Sequence, residues 1–336
     1  MFTILTVVVL ATLSQAYKFD RYDLFMPDVV PKKMDVYLCS PVRVNYTRHY
    51  YIVGFEPNAS MDTAHHMLLY GCKVPGNDGT VWNCGEMANE DGDETHSPCA
   101  EGSQIIYAWA RDAPQLILPE GVGFKVGGDS PIQYLVLQVH YLHVEKFKHG
   151  ATDRSGITLR YTEQKLSKSA GVLLLGTGGR LKPMSEVHME TSCAIEEDKI
   201  LHPFAFRTHT HQLGRVVSGY KVQNNSGEME WTLLGKRNPQ DPQMFYPIKD
   251  PSLTIQKGDI VAARCTMFNK NNETVNIGGT SKDEMCNFYL AYWVSNDEPL
   301  ENKYCFTSGP PSYFWESGLP GYPSLNNIPD IDASTL

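Results

Sequence analysis

The 336-residue chain is poor in charge, and its charge leans negative. Charged residues make up 20%, with 29 Lys and Arg against 38 Asp and Glu, for a formal net charge of −9. That balance argues against a nucleic-acid binder, which would show a basic face. Past the N-terminus no run reaches the roughly 18 apolar residues of a membrane-spanning helix. Helical periodicity is scarce, and there is no internal repeat. No C-x-x-C pair suggests zinc or thioredoxin chemistry, and no H-E-x-x-H suggests a metalloprotease. What is present is enough apolar material, 42%, to bury sizeable cores. At roughly 100–200 residues per domain, the length predicts two of them.

Met1–Ala16 reads MFTILTVVVLATLSQA. Its apolar stretch Phe2–Leu13 has the length of a signal core, and Ser14-Gln15-Ala16 is a small-x-small cleavage pattern. The reading is a secretory signal at 1–16, despite the lack of Lys or Arg before the core. Four sequons agree with secretion: Asn45-Tyr46-Thr47, Asn58-Ala59-Ser60, Asn224-Asn225-Ser226 and Asn272-Glu273-Thr274. So does an even set of eight cysteines, Cys39, Cys72, Cys84, Cys99, Cys193, Cys265, Cys286 and Cys305. In an oxidising compartment four disulfides are the default, although eight cysteines allow 105 pairings. Four cysteines precede residue 100 and four follow residue 190.

Short alternating runs bounded by Gly, Pro, Asn and Asp predict antiparallel β structure. In Tyr134–Val144, Leu135, Leu137, Val139 and Tyr141 share one face, and Val136, Gln138 and His140 the other. Val172–Gly176, Phe204–Gln212, Ile260–Phe268 and Asn287–Val294 are further strand candidates. With the cysteine grouping this predicts an all-β fold of two antiparallel, jelly-roll-like sandwiches in tandem, at 17–165 and 166–310. The Pro-, Gly- and Ser-rich tail, 311–336, is expected to wrap or fray.

Four local patterns carry possible chemistry. His65-His66 would point to opposite faces of a regular strand, so joint ligation needs a bend or different ring nitrogens. Alone, the pair reads as a surface or capping feature. His140 shares a face with Gln138, and a single strand His is usually structural. In FAFRTHTHQ, Arg207, His209 and His211 share a face by the period of two. His-x-His on a strand sets two imidazoles side by side, and a nearby guanidinium suits a carboxylate. Met285, Asn287 and Tyr289 also share a face, though a Met beside a disulfide cysteine is normally core filling. Together, five histidines and a thioether point to copper, because thioether suits Cu(I). Paired cysteines leave no thiolate for a blue-copper site.

In this order and spacing, HHMLLYGC, QVHY, RTHTHQLG and EMCNFY resemble the peptidylglycine α-hydroxylating monooxygenases, which belong to the copper type II, ascorbate-dependent monooxygenases. The resemblance covers roughly residues 30–310. It implies one copper at His65, His66 and His140 as the electron-storing site, and a second at His209, His211 and Met285 as the site of oxygen chemistry. Arg207 would hold the carboxylate of a glycine-extended peptide, with Asn287 and Tyr289 assisting. Gln138 would orient the electron-delivery side and Tyr37 would support the first copper. The disulfides would be Cys39–Cys84, Cys72–Cys99, Cys193–Cys305 and Cys265–Cys286. Ascorbate would donate electrons, dioxygen would be the co-substrate, and the setting would be the secretory granule or extracellular space. The chain is expected to be a monomer without a lyase domain, its product passing to a separate lyase. The stretch Gly85–Pro98 reads as a long acidic surface loop, with His96 solvated. The rival reading is a dopamine β-monooxygenase-like hydroxylase of an amine. Arg207 favours the peptide, as does the lack of room for that enzyme's extra N-terminal domain.

Overall fold

A computed structural model of the chain describes residues 18–85, 95–279, 282–322 and 327–336. The expected signal at 1–16 and most of the acidic loop lie outside the described residues. The fold is all-β, and its described helices amount to two single turns and the short Asp330–Ser334. No helix among the described residues is long and apolar enough to cross a membrane.

In the N-terminal half, five antiparallel strands form one sheet, in the order Trp82–Asn83, Val36–Arg43, Tyr134–Tyr141, His66–Cys72, Gln104–Ala110. A second sheet holds Asp20–Phe25, Gly156–Thr162, His49–Asn58 and Val122–Gly127. This second sheet does not end at the expected boundary. Val122 and Gly123 pair in parallel with Lys168 and Ser169. The sheet therefore continues through Lys168–Thr177, Asn287–Ser295 and Ile200–His209. In the C-terminal half, Ser185–Ala194, Ile260–Asn269, Gly214–Asn225 and Glu228–Arg237 make a separate four-stranded sheet. The fold is all-β with antiparallel sheets in both halves, as the sequence predicts, and the two halves also share a sheet.

The period of two explains how the shared strands serve two cores. Ala170, Val172 and Leu174, with Ala205, Tyr289 and Ala291, join the N-terminal core. Their alternates Leu173, Leu175, Phe206, Phe288, Leu290 and Tyr292 join the C-terminal core. Such strands have no solvent face and read as near-continuous apolar runs. The cysteines pair as Cys39–Cys84, Cys72–Cys99, Cys193–Cys305 and Cys265–Cys286, as the resemblance implies. All four sequon asparagines are exposed.

The described part of the tail is docked. Trp315 is fully buried, its indole N–H donates to the Thr191 carbonyl at 3.1 Å, and Arg264 lies 4.6 Å over its ring. Asp330 accepts from Arg264 at 2.6 Å, and Asp332 accepts from Tyr220 at 2.5 Å. With Tyr220, Val222 and Ala333, Trp315 makes a third core. Replacing a buried Trp by Ala removes about 3–5 kcal/mol. Trp315→Ala should lower unfolding free energy by about that amount in urea titrations. A loss under about 1 kcal/mol would mean the tail is not part of the core.

Candidate functional site

His140 sits near the end of the strand Tyr134–Tyr141, in register with Tyr37 on one side and His66 on the other. Residues directly opposite in an antiparallel pair point the same way. The three rings therefore lie on one face, and Tyr37 stacks on His140 with centroids 4.1 Å apart. The neighbouring strand begins at His66, so His65 precedes it and escapes the strict alternation. Its backbone N–H donates to the His140 carbonyl at 2.9 Å. The outcome is convergence: Nδ1 of His66 lies 3.4 Å from Nδ1 of His65 and 3.3 Å from Nδ1 of His140. Two imidazoles bound tetrahedrally at about 2.0–2.1 Å would hold their nitrogens about 3.3 Å apart. The donor set fits one metal ion. Asp35 fixes its orientation, its carboxylate meeting Nε2 of His140 at 2.6 Å. Carboxylate–histidine–metal triads use this contact to set the ring's tautomer.

The second set lies on the sheet face turned toward the N-terminal half. Arg207 registers with Tyr289, and His209 with Asn287. Met285 lies two residues before Asn287, and the Asn287 side-chain nitrogen lies 3.8 Å from its sulfur. Cys286, bonded to Cys265, ties this segment to the four-stranded sheet. Gly176 pairs with Asn287 across the sheet, and a Cβ there would come within 2.8 Å of the Asn287 side-chain oxygen. The glycine makes room for that amide.

His211 departs from expectation. The strand ends at His209, so Arg207, His209 and His211 do not share one strand face. The cause is Glu284, a buried carboxylate that accepts the backbone N–H groups of His211 at 2.9 Å, Gln212 at 2.6 Å and Leu213 at 2.8 Å. This captures the chain as a turn beside Met285. His211 Nδ1 meets the Asp283 carbonyl at 2.8 Å, and His209 Nδ1 meets Gln243 Oε1 at 2.7 Å. Each ring thereby keeps Nε2 as its free lone pair. The rings stand edge to face with centroids 5.5 Å apart. Two imidazole nitrogens and a thioether are a donor set suited to copper.

Burial disfavours the charged form of three of these imidazoles, His65, His66 and His209, and a metal ligand must be neutral. His65 is pushed down to about 4, first by burial and then by His140 and His211. Burial holds His66 and His209 well below the ordinary range, with His140 and Arg207 respectively adding to it. His66 and His209 are 6.3 Å apart, ring to ring, and both line two adjoining cavities. One, about 150 Å³, holds His65, His140 and His211, with Tyr37 and Arg111. The other, about 320 Å³, holds Met285, Arg207, Asn287 and Tyr289, with the apolar Leu68, Ile105, Leu174 and Ile277. The Tyr37 hydroxyl donates to the Gly279 carbonyl at 3.1 Å, tying the two halves together at this seam.

Arg207 is 1% exposed, yet no acid among the described residues holds it. Its Nε donates to the Gln243 carbonyl at 2.9 Å, and it lies 5.0 Å from the Tyr289 ring centre. Its Nη1 has no hydrogen-bond partner among the described residues, nor does Oε1 of Gln138. Burial pushes the guanidinium down from its ordinary range, with Tyr289 opposing. His96 stands apart from the histidine cluster, its carbonyl capping the Trp82 indole N–H at 3.1 Å. Sequence reading missed Asp35, Gln243 and Glu284. Removing a ligand's outer partner typically costs 10–100-fold in metal affinity. Asp35→Ala should weaken copper at the three-histidine site by roughly that factor in chelator competition, leaving the other set unchanged. Unaltered affinity would show that Asp35 does not orient His140.

The N-terminal and C-terminal domain models of the copper type II ascorbate-dependent monooxygenases match residues 22–148 and 168–318. The chain is 41% identical over 310 residues to peptidyl-glycine alpha-amidating monooxygenase A of Xenopus laevis, covering 91% of this chain and 31% of that protein. It is 41% identical over 295 residues to peptidylglycine alpha-amidating monooxygenase of Rattus norvegicus, covering 87% and 29%. DBH-like monooxygenase protein 1 of Homo sapiens is 28% identical over 294 residues, covering 81% and 47%. The chain spans about a third of the length of the amidating monooxygenases it matches. With both domain models matched in order along most of its length, the chain belongs to the copper type II, ascorbate-dependent monooxygenases.

Proposed function

We propose that the protein hydroxylates the Cα of the C-terminal glycine of peptides, using dioxygen and ascorbate, as the first step of C-terminal amidation. The observation that carries this reading is Arg207, a buried guanidinium with an unpartnered Nη1 in the cavity it shares with Met285. A buried cation with a spare donor calls for an anion. A peptide's terminal carboxylate matches the guanidinium's fork. Its one methylene neighbour, the glycine Cα, would then be held beside His209 and Met285. The apolar wall of the cavity suits the preceding side chain and excludes water. Asn287 and Tyr289 assist the grip. The names of the Xenopus and Rattus relatives support the same substrate class.

Copper bound at His65, His66 and His140, and at His209, His211 and Met285, would supply the one-electron redox and oxygen chemistry. Ascorbate's two electrons and two protons balance one oxygen atom inserted into the C–H bond and one released as water. Gln138, buried with Oε1 unpartnered, would orient the delivery side, and Tyr37 would hold His140 flat. The peptidyl-α-hydroxyglycine product would pass to a lyase, giving amidated peptide and glyoxylate. Four disulfides fit a secretory-pathway protein, and we extend this to granule or extracellular residence with glycans at the exposed sequons.

Mass spectrometry of a short peptide ending in Gly, incubated with protein, copper, ascorbate and oxygen, tests the reading. One added oxygen is expected on the Gly peptide and almost none on its Ala-ended counterpart. No added oxygen on the Gly peptide, with turnover of an amine instead, would overturn it. Truncating one partner of a buried charge pair costs about 2–5 kcal/mol, so Arg207→Gln should lower kcat/KM by roughly 100-fold or more with copper retained. Met285→Ile should abolish turnover while copper remains at the three-histidine site. Full activity in that variant would remove Met285 from the site.

A further inference from the structure

Gln243 lies 34 residues from His209 and 36 from Arg207 in sequence, is 3% exposed, and touches both. Its side-chain nitrogen donates to the carbonyls of Thr210 at 3.2 Å and Pro239 at 3.0 Å. Both partners are pure acceptors, which fixes the amide's orientation and leaves Oε1 as the acceptor. That single oxygen meets Nδ1 of His209 at 2.7 Å and Nη2 of Arg207 at 3.2 Å. The residue's own carbonyl takes Nε of Arg207 at 2.9 Å. The proton on His209 must therefore sit on Nδ1, which frees Nε2 for a metal. The Arg207 fork is held on two sides, which leaves Nη1 free.

We propose that Gln243 is a positioning residue that couples the grip on the substrate carboxylate to the copper site at His209. The proposal rests on the carboxylate reading of Arg207 given above. A carboxylate pulling on Arg207 shifts the donor that shares Oε1 with His209. By linkage, copper at His209 and peptide at Arg207 then alter each other's affinity equally.

Two variants separate this role from simple packing. Gln243→Glu keeps an acceptor for both His209 and Arg207, gives up the donor to the Thr210 and Pro239 carbonyls, and adds a negative charge that competes with the substrate carboxylate. Gln243→Met keeps the size and removes the acceptor. Copper affinity is read by chelator competition under reducing, anaerobic conditions. Peptide affinity is read by equilibrium binding of a Gly-ended peptide without oxygen, with the same peptide amidated as control. Gln243→Glu should hold copper affinity within about threefold while weakening the acid-ended peptide by about tenfold or more. Gln243→Met should weaken copper at the second site by roughly 10–100-fold and also weaken the peptide. The three-histidine site should be unchanged in both variants, and the amidated control should be insensitive to Gln243→Glu.

Parallel loss of both affinities in Gln243→Glu, with a matching fall in melting temperature, would reduce Gln243 to a structural residue. Wild-type peptide binding that Gln243→Glu leaves untouched would overturn the coupling alone. A wild-type protein that ignores the acid-ended peptide would overturn the proposed function and the coupling together.

Discussion

The Arg207 and His209 side of this site depends on three strands buried on both faces. Lys168–Thr177, Asn287–Ser295 and Ile200–His209 give one set of alternate side chains to each core. Along those strands the face that carries Leu174, Ala205 and Tyr289 into the N-terminal core also carries Arg207, His209 and Asn287. Polar, metal-binding and cationic groups are thereby held against the other half of the molecule instead of in water. The parallel pairing of Val122 and Gly123 with Lys168 and Ser169 joins the sheet across the two halves.

Burial then sets the chemistry. It disfavours charge on His65, His66 and His209, leaving their lone pairs ready for a soft cation. It also leaves Arg207 cationic and incompletely bonded, because the guanidinium resists deprotonation even when desolvated. Each ring is aimed by an outer partner: Asp35 on His140, Gln243 on His209, the Asp283 carbonyl on His211. The first set turns its Nδ1 atoms inward and the second keeps its Nε2 atoms free. Two donor sets stand close together, with 6.3 Å between the His66 and His209 rings, and are built on different sheets.

Much of this was legible in the sequence. His65-His66, His209-x-His211 and the Met285 segment are local patterns, and period-two alternation puts Arg207 beside His209 and Asn287 beside Tyr289. The all-β class follows from the same alternation. Other features needed three dimensions. His140 is a lone histidine in an apolar strand, and only its register with Tyr37 and His66 gives it a role. Alternation names a strand's two faces but not the partner of each, so the continuous sheet was hidden. Asp35, Gln243 and Glu284 act across 105, 34 and 73 residues respectively, with no motif to mark them. The turn at His211 was misread as strand because the carboxylate that makes it lies far along the chain. The tail's low-complexity appearance concealed Trp315, whose partners come from the four-stranded sheet.

Two separate copper sites are proposed to face each other across one seam. Copper counted per chain, in wild type and in ligand variants, tests this arrangement most directly. The wild type should bind two ions, His66→Ala one, His209→Ala one, and the double variant none tightly. A single ion in the wild type, lost in either single variant, would contradict it. That result would mean that the two histidine sets form one composite site.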